Sequence, residues 1–177
     1  MERSYWVITI IGPDRQGTVA HITESIVRSQ ANIEESRMAR LGGEFAVIML
    51  VSLPAARQAD LRTGLDQMTG EGLTVFVKPT DLARVQMLAG FVPYEIAVQG
   101  ADHEGIVHQV AAYLAGESIN VETMDTMVTP APLTGTPLFS MRASVQAPPA
   151  LTLHQLRAKL LDLGDELGVD IEVRLGK

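Results

Sequence analysis

Two polar turns in this sequence contain residue types that could bind a small anion. The first turn, Gly12-Pro13-Asp14-Arg15-Gln16-Gly17-Thr18, separates a β-branched run from apolar residues at helical spacing. The first backbone N–H groups of a helix lack partners and carry partial positive charge, so this position binds carboxylates well. Gly17 has no side chain to keep a ligand from the backbone, and Arg15 could hold a carboxylate through two hydrogen bonds. We therefore predict a carboxylate site here.

The second turn, Gly100-Ala101-Asp102-His103-Glu104-Gly105-Ile106, has the same layout 88 residues later. A ligand that also carries a cationic group would need an acceptor for it. Asp14, Asp102 and Glu104 lie in segments that could supply one. The two turns together predict a pair of related sites for a small carboxylate.

The two turns differ at one position, where His103 replaces Arg15. We expect the two sites to differ in charge and in pH response, because histidine titrates near neutral pH. A purely structural role is the alternative. In that case Asp14 and Asp102 would be helix N-caps, and the glycines would serve only the geometry of the turn.

The rest of the sequence repeats in the same order as the turns, which indicates two copies of one unit of about 88 residues. The landmarks that recur are Asn32-Ile33 with Asn120-Val121, Phe45 with Phe139, Pro54 with Pro148, Leu61 and Leu65 with Leu156 and Leu160, and Gly72 with Gly168. We place the first domain at residues 1–80, a linker at 81–92 and the second domain at 93–177.

Each copy alternates strand and helix patterns in the order β-α-β-β-α-β. Such a unit predicts an α+β, ferredoxin-like fold: a four-stranded antiparallel sheet with two helices on one face. In the first copy, Val19, Ile22 and Ile26 predict the buried stripe of the first helix. Val107, Val110, Ala111 and Leu114 predict that stripe in the second copy, and Leu153, Leu156, Leu160, Leu163 and Leu167 predict the second helix there. We expect Asn32 and Asn120 to end the first helices in a left-handed conformation.

The connections differ between the copies. Gly42-Gly43 predicts a tight hairpin in the first copy. The second copy has Pro130-Ala131-Pro132-Leu133-Thr134-Gly135-Thr136-Pro137 there, and its three prolines predict an exposed loop. Both sides of the strand Tyr5–Ile11 are largely apolar, so we expect the other repeat or a second chain to cover the open sheet side, with a homodimer as one outcome. The apolar residues within Thr80–Pro93 predict that this segment packs on something.

The composition excludes several classes of protein. The chain has no cysteine and a net charge of −7, which argues against disulfide scaffolds and against direct nucleic acid binding. His103 and His108 are five residues apart and do not share a helix face, so they predict no zinc site. No nucleophile, metal or cofactor motif emerges, so we predict no enzyme, no metal and no cofactor. No signal peptide or membrane span is recognisable, which favours the cytoplasm.

The turns, the helices behind them and the Asn-aliphatic pairs resemble the ACT domain, a module that senses small molecules in metabolic regulation. A chain made only of two such units is similar to the glycine cleavage system transcriptional repressor family. The resemblance implies a small amino acid ligand, glycine or serine, and a protein partner such as a transcriptional activator. The residues implied as ligand-binding are Asp14, Arg15, Gln16, Gly17, Thr18, Asn32, Asp102, His103, Glu104, Gly105, Ile106 and Asn120. The two asparagines would complete a site at a neighbouring domain's turn.

Two alternatives to the sensor hypothesis stay open at this point. The chain could be an interaction or assembly module without a small ligand, or a stand-alone regulatory subunit of a metabolic enzyme. The charge is also divided unevenly: residues 1–88 have a net charge of −1 and residues 89–177 a net charge of −6. This asymmetry suggests that the second unit docks on a basic partner surface.

Overall fold

The structure is a computed structural model that describes residues 3–81 and 90–176. The chain divides into two compact units, Met1–Gln86 and Met87–Lys177. Most of the predicted linker, residues 82–89, and with it the expected packing of its apolar side chains, lies outside the described residues.

The first unit has the predicted order of elements. Its elements are β1 (Arg3–Pro13), α1 (Thr18–Arg28), β2 (Asn32–Leu41), β3 (Glu44–Pro54), a short 3-10 turn (Ala55–Arg57), α2 (Gln58–Gly70) and β4 (Thr74–Thr80). The four strands form an antiparallel sheet in the order β2-β3-β1-β4. Pro54 ends β3, as expected from a residue that cannot donate to the next ladder hydrogen bond.

The second unit repeats this topology. Its elements are β5 (Val92–Ala101), α3 (Ile106–Gly116), β6 (Asn120–Pro130), β7 (Pro137–Ala147), α4 (Leu153–Leu167) and β8 (Val169–Leu175), with the sheet order β6-β7-β5-β8. The predicted α+β fold of two ferredoxin-like units is confirmed. The proline-rich segment between β6 and β7 is an exposed loop, as predicted, and Leu133 at its tip is 99% exposed.

Each unit has its own hydrophobic core between its two helices and one face of its sheet. The first core includes Trp6, Ile8, Ile10, Ile22, Ile26, Val51, Leu61, Leu65 and Met68. The second includes Ile96, Val98, Ile106, Val110, Leu114, Val145, Leu156 and Leu160. The predicted helical stripes are confirmed except at their first residues: Val19 and Val107 are exposed, and at the start of α3 the buried residue is the preceding Ile106.

The predicted role of Asn32 and Asn120 at the helix ends is wrong. The left-handed residues are Gln30, with φ of 53°, and Ser118, with φ of 57°. The helices end earlier, at Arg28 and Gly116, so both asparagines already begin the next strand.

The sheet faces that point away from the helices, called here the open faces, differ in chemistry between the units. Positions on the first open face hold Val7, Ile11, Ile48, Leu50 and Phe76, and the matching positions on the second hold Glu95, Gln99, Arg142, Ser144 and Glu172. The apolar character predicted for both sides of Tyr5–Ile11 is therefore not repeated on the open face of the second unit. Polar and charged side chains let that face remain in water, and only the first open face exposes an apolar surface.

Candidate functional site

Both turns place a left-handed glycine directly before a helix. Gly17 precedes α1 with φ of 87°, and Gly105 precedes α3 with φ of 97°. Neither helix has a side-chain cap. A positive φ strains any residue with a Cβ, so glycine fits the backbone requirement of both turns. No atom lies within 4 Å of where a Cβ of Gly17 would be, so the space beside this residue is open.

The uncapped helix starts leave backbone donors free. In the first turn the Thr18 amide donates to the Arg15 carbonyl over 3.3 Å. The amides of Val19 and Ala20 have no partner within the described part of the chain. The second turn leaves the amides of Val107 and His108 free in the same sense. Each turn therefore presents adjacent N–H groups at the positive end of a helix.

The two aspartates anchor the turns but do not cap the helices. The amide of Asp14 donates to the carbonyl of Gly43 over 3.0 Å, and the amide of Asp102 donates to the carbonyl of Pro137 over 3.0 Å. The Asp14 carboxylate accepts from Arg40 over 3.2 Å. The alternative prediction that these aspartates are N-caps is wrong, because Gly17 and Gly105 occupy the N-cap positions.

Arg15 and His103 make equivalent contacts with the second helix of their own unit. The Arg15 guanidinium donates to the carbonyl of Glu71, just after α2, over 3.5 Å. The His103 Nε2 is 2.8 Å from the carbonyl of Leu167, the last residue of α4. These carbonyls carry the partial negative charge of a helix C-terminus, which favours a cation. These contacts could not be predicted from the sequence, because they join residues that are 56 and 64 positions apart.

His103 is held more firmly than Arg15. Its Nδ1 is also 3.0 Å from the carbonyl of Glu104, so neither ring nitrogen is left for a ligand in this conformation. The hydrogen bonds to Glu104 and then to Leu167, with a smaller contribution from the charge of Asp102, raise the pKa of His103 against a partial desolvation cost. The doubly protonated ring can donate to both carbonyls at once.

The raised pKa of His103 predicts a pH-dependent stability of the second unit. A group whose pKa rises on folding stabilises the fold most below its ordinary value of 6.5, and this contribution is lost as pH rises through the folded pKa. We expect the melting temperature to fall between pH 5.5 and 8 by more in the wild type than in His103→Gln. His154→Gln, an exposed change on α4, is the control. An identical pH dependence in the wild type and His103→Gln would contradict this role.

In each unit, a glutamate on the second strand (β2 or β6) makes contacts that the sequence analysis did not predict. Glu34 lies at a β-bulge in β2 and accepts from the Ser52 hydroxyl and, over 3.1 Å, from Asn32. These two hydrogen bonds and the charge of Arg3 lower the pKa of Glu34, against a smaller desolvation effect. The Ser52 oxygen also accepts from Arg3 over 2.6 Å. This buried serine therefore joins the start of β1 to β2.

Glu122 repeats this position at the bulge of β6 and accepts from Gln146 over 3.2 Å. The repeated Asn-aliphatic-Glu triplet at an offset of 88 residues was the signal in the sequence. A bulge adds an unpaired residue that changes strand direction, so a polar group there needs its own partner.

The structure separates the asparagines from the turns of their own units. Asn32 aligns through Ser52 with Tyr5, and Asp14 comes nine residues after Tyr5 along the chain. At 3.3 Å per residue this separation is about 30 Å. Asn120 aligns with Pro93 in the same way, nine residues before Asp102. Neither asparagine can therefore contact a ligand held at the turn of its own unit.

The predicted binding residues divide into three groups: the residues of the first turn, the residues of the second turn, and the two asparagines, which lie far from the turns of their own units. Each turn brings together its own residues. Gln16 and Glu104 are exposed, and Thr18 donates its hydroxyl to the Arg15 carbonyl. Ile106 is buried in the second core.

Within residues 3–81 and 90–176, no group of three or more His, Asp or Glu side chains could hold a metal ion. Across the same ranges no helix is both long and apolar enough to cross a membrane.

The architecture defines a protein built from two ferredoxin-like units, each with an uncapped turn between its first strand and its first helix. A sequence model of the ACT domain matches residues 4–78, which include the first turn. A UPF0237 protein from Methanopyrus kandleri is 40% identical over 82 residues, which cover 44% of this chain and 90% of that protein. The chain belongs to the ACT-domain family.

Three further proteins are similar to different lengths of this chain. The glycine cleavage system transcriptional repressor of Escherichia coli (strain K12) is 52% identical over 48 residues, which are 27% of this chain and only 25% of the repressor. A protein from Galdieria sulphuraria of unknown function is 33% identical, with a TM-score of 0.84 over 99% of this chain and 100% of that one. A solved structure described as a candidate glycine cleavage system transcriptional repressor is 22% identical, with a TM-score of 0.73 over 100% of this chain and 99% of that one, and shares the fold.

Proposed function

We propose that this chain is a regulatory protein that senses a small amino acid and acts through a protein partner. The observation that carries the proposal is the pair of free, adjacent amides that follow a left-handed glycine in each turn. A zwitterionic amino acid carries the carboxylate that such a helix start favours. ACT-domain membership supports a regulatory role for these turns.

In the first turn the ligand carboxylate accepts from the amides of Val19 and Ala20. Arg15 is exposed and its single hydrogen bond, to Glu71, is long, so it can turn to hold the same carboxylate. Asp14 offers a carboxylate for the ligand ammonium group. The open space beside Gly17 admits the ligand to the backbone, and a small amino acid such as glycine or serine needs no apolar pocket for its side chain.

The first turn should bind more tightly than the second. Arg15 and Arg40 lie at the first turn with Asp14. The second turn has Asp102 and Glu104, and the residue at the position of Arg15, His103, is already engaged by two carbonyls. Two carboxylates near the same amides oppose the approach of a third, so the electrostatic balance favours the first turn.

The partner is proposed to be a protein, such as a transcriptional activator. A relative is named as a transcriptional repressor of the glycine cleavage system, which connects this family to gene regulation. The net charge of −7 disfavours direct contact with nucleic acid phosphates, so regulation through a second protein fits better. We place this activity in the cytoplasm and assign it no catalytic step.

Thermal unfolding with each of the twenty amino acids at millimolar concentration tests the proposal. A ligand at 100 times its dissociation constant stabilises the native state by about 2.7 kcal/mol. That stabilisation raises the melting temperature of a unit of this size by roughly 10–20 °C. We expect glycine or serine to produce the shift, Gly17→Ala to abolish most of it, and Gly105→Ala to reduce it less.

Gly135→Ala is the matched control, because Gly135 also has a positive φ, of 71°, and open space around it but lies in the loop between β6 and β7. It should keep the ligand response. If no amino acid changes the melting temperature, the proposal that this chain senses an amino acid is wrong. Co-purification of a partner that survives both Gly17→Ala and Gly105→Ala would then favour the ligand-free assembly module, or the regulatory subunit of an enzyme if the partner is one.

A further inference from the structure

We propose that the open face of the first unit is a dimer interface that binds the same face of a second copy of this chain. The two copies would be related by a two-fold axis parallel to the strands, running between β3 and β1. This interface is independent of the amino acid site, because the turns lie at the ends of the strands and not on the open face.

The first open face exposes large apolar side chains that gain from being covered. Phe76 is 61% exposed, Ile48 is 49% exposed and Ile11 is 40% exposed. Val7, Leu50 and Ile48 line a shallow hollow between them. Adjacent exposed apolar groups on one sheet face mark an interaction surface and are unlike scattered single residues.

The charges at the rim of this face make it complementary to itself. One row across the sheet reads Glu35, Leu50, Val7 and Lys78, in the order β2, β3, β1 and β4. A two-fold axis between β3 and β1 keeps each row at its level and places β2 of one copy over β4 of the other. Glu35, which also pairs with Arg37 of its own strand over 2.9 Å, then faces Lys78 of the second copy, and Leu50 faces Val7, so both the charged and the apolar positions match.

The next row supports the same axis. It reads Arg37, Ile48, Thr9 and Phe76 in the same strand order. The rotation places the guanidinium of Arg37 over the ring of Phe76, an arrangement that favours a cation–π contact. Ile48 then lies over Thr9, whose methyl group continues the apolar centre. Two sheets packed face to face keep their strands within about 30° of each other, which allows these rows to meet.

The open face of the second unit is not complementary to the apolar open face of the first unit. Its equivalent positions form a hollow of about 490 Å³ over Ala97, ringed by Glu95, Arg142, Glu172 and Arg174. Glu172 and Arg174 pair with each other over 2.6 Å, but Phe76 and Ile48 would offer no partner to these charged groups, and removing them from water is costly. A second copy of the first face is the occupant that matches both charge and polarity.

Sedimentation over roughly 1 to 100 μM protein tests the interface, a range that brackets micromolar association. The wild type should approach twice the chain mass of 19.1 kDa. Ile48→Arg with Phe76→Glu installs the residues that the second unit holds at these positions, so the fold tolerates them. We expect this variant to weaken dimerisation at least about 100-fold, as for the loss of central interface residues.

Val27→Glu with Leu161→Arg makes the same kinds of change at exposed apolar positions on α1 and α4 and should leave the dimer intact. A wild type that stays monomeric throughout overturns the proposal, whether the face is bare or covered by another part of the chain. A dimer insensitive to Ile48→Arg with Phe76→Glu overturns it equally.

Charge exchange at the rim tests the orientation without disturbing the apolar centre. Lys78→Glu alone should weaken the dimer about 3- to 10-fold, since it places two carboxylates opposite each other. Adding Glu35→Lys should restore most of the affinity, because the pair is then reversed. Glu35→Lys alone is the second single variant. If the loss of dimerisation free energy in the double variant equals the sum of the losses in Lys78→Glu and Glu35→Lys, the proposed two-fold axis is wrong.

Discussion

Replacing Leu65 with alanine is expected to lower the free energy of unfolding of the first unit by about 2–5 kcal/mol. Leu65 is completely buried on α2, where it packs in the first core. Alanine removes apolar contacts and leaves a cavity in a closely packed interior. Trp6, the one tryptophan in the sequence, lies in this core, so its fluorescence reports unfolding of the first unit during denaturation with urea.

Leu160→Ala provides the matched change in the second unit. Leu160 occupies the repeated position on α4 and is also completely buried. Because the two cores share no residue, Leu160→Ala should leave the Trp6 transition nearly unchanged while lowering the stability measured by circular dichroism. An equal shift of the Trp6 midpoint by both variants would show that the two cores unfold as one unit.

Replacing Gly164 with alanine is expected to destabilise the second unit by about 2 kcal/mol. Gly164 lies on α4 where the helix crosses β8, and an added Cβ would come within 2.6 Å of the Val169 carbonyl oxygen. Overpacking against rigid backbone costs about 1–3 kcal/mol or more. This cost exceeds the gain of at most about 1 kcal/mol that alanine gives a helix interior. The denaturation midpoint measured by circular dichroism should fall accordingly.

Gly70→Ala is the control for helix propensity. Gly70 ends α2, and no atom lies within 4 Å of its added Cβ. This variant should be neutral or slightly stabilising. If Gly164→Ala proves as stable as Gly70→Ala, the close packing of α4 on β8 is not a constraint on this position.

The fold was predictable because each copy carries its own periodic pattern. The β-branched and aromatic run Tyr5–Ile11 is typical of a strand, and the leucine spacing from Leu153 to Leu167 reflects the helical period of 3.6. The repeat added a second, independent example of each element. Even so, Val19 and Val107 fit the helical period but are exposed, since periodicity does not show where a helix first meets its sheet.

The candidate site was predictable in its location but not in its contacts. Gly17 and Gly105 were recognisable because a turn between strand and helix favours glycine. Which residue caps a helix depends on one or two backbone angles, so Asp14 and Asp102 could not be excluded as caps from sequence alone. Neither could Gln30 and Ser118 be recognised as the left-handed residues, because they are not the types that favour this conformation.

The sequence by itself determined the repeat, the order of elements and the position of a glycine-containing turn between strand and helix in each unit. The elements and the turns are local, since each depends on residues within about one turn or strand. Only the tertiary structure decided that Arg15 and His103 reach the ends of α2 and α4, that Glu34 joins Ser52, and that one open face is apolar and the other charged. These contacts join residues distant in sequence, and a face exists only once strand register has aligned side chains from four strands.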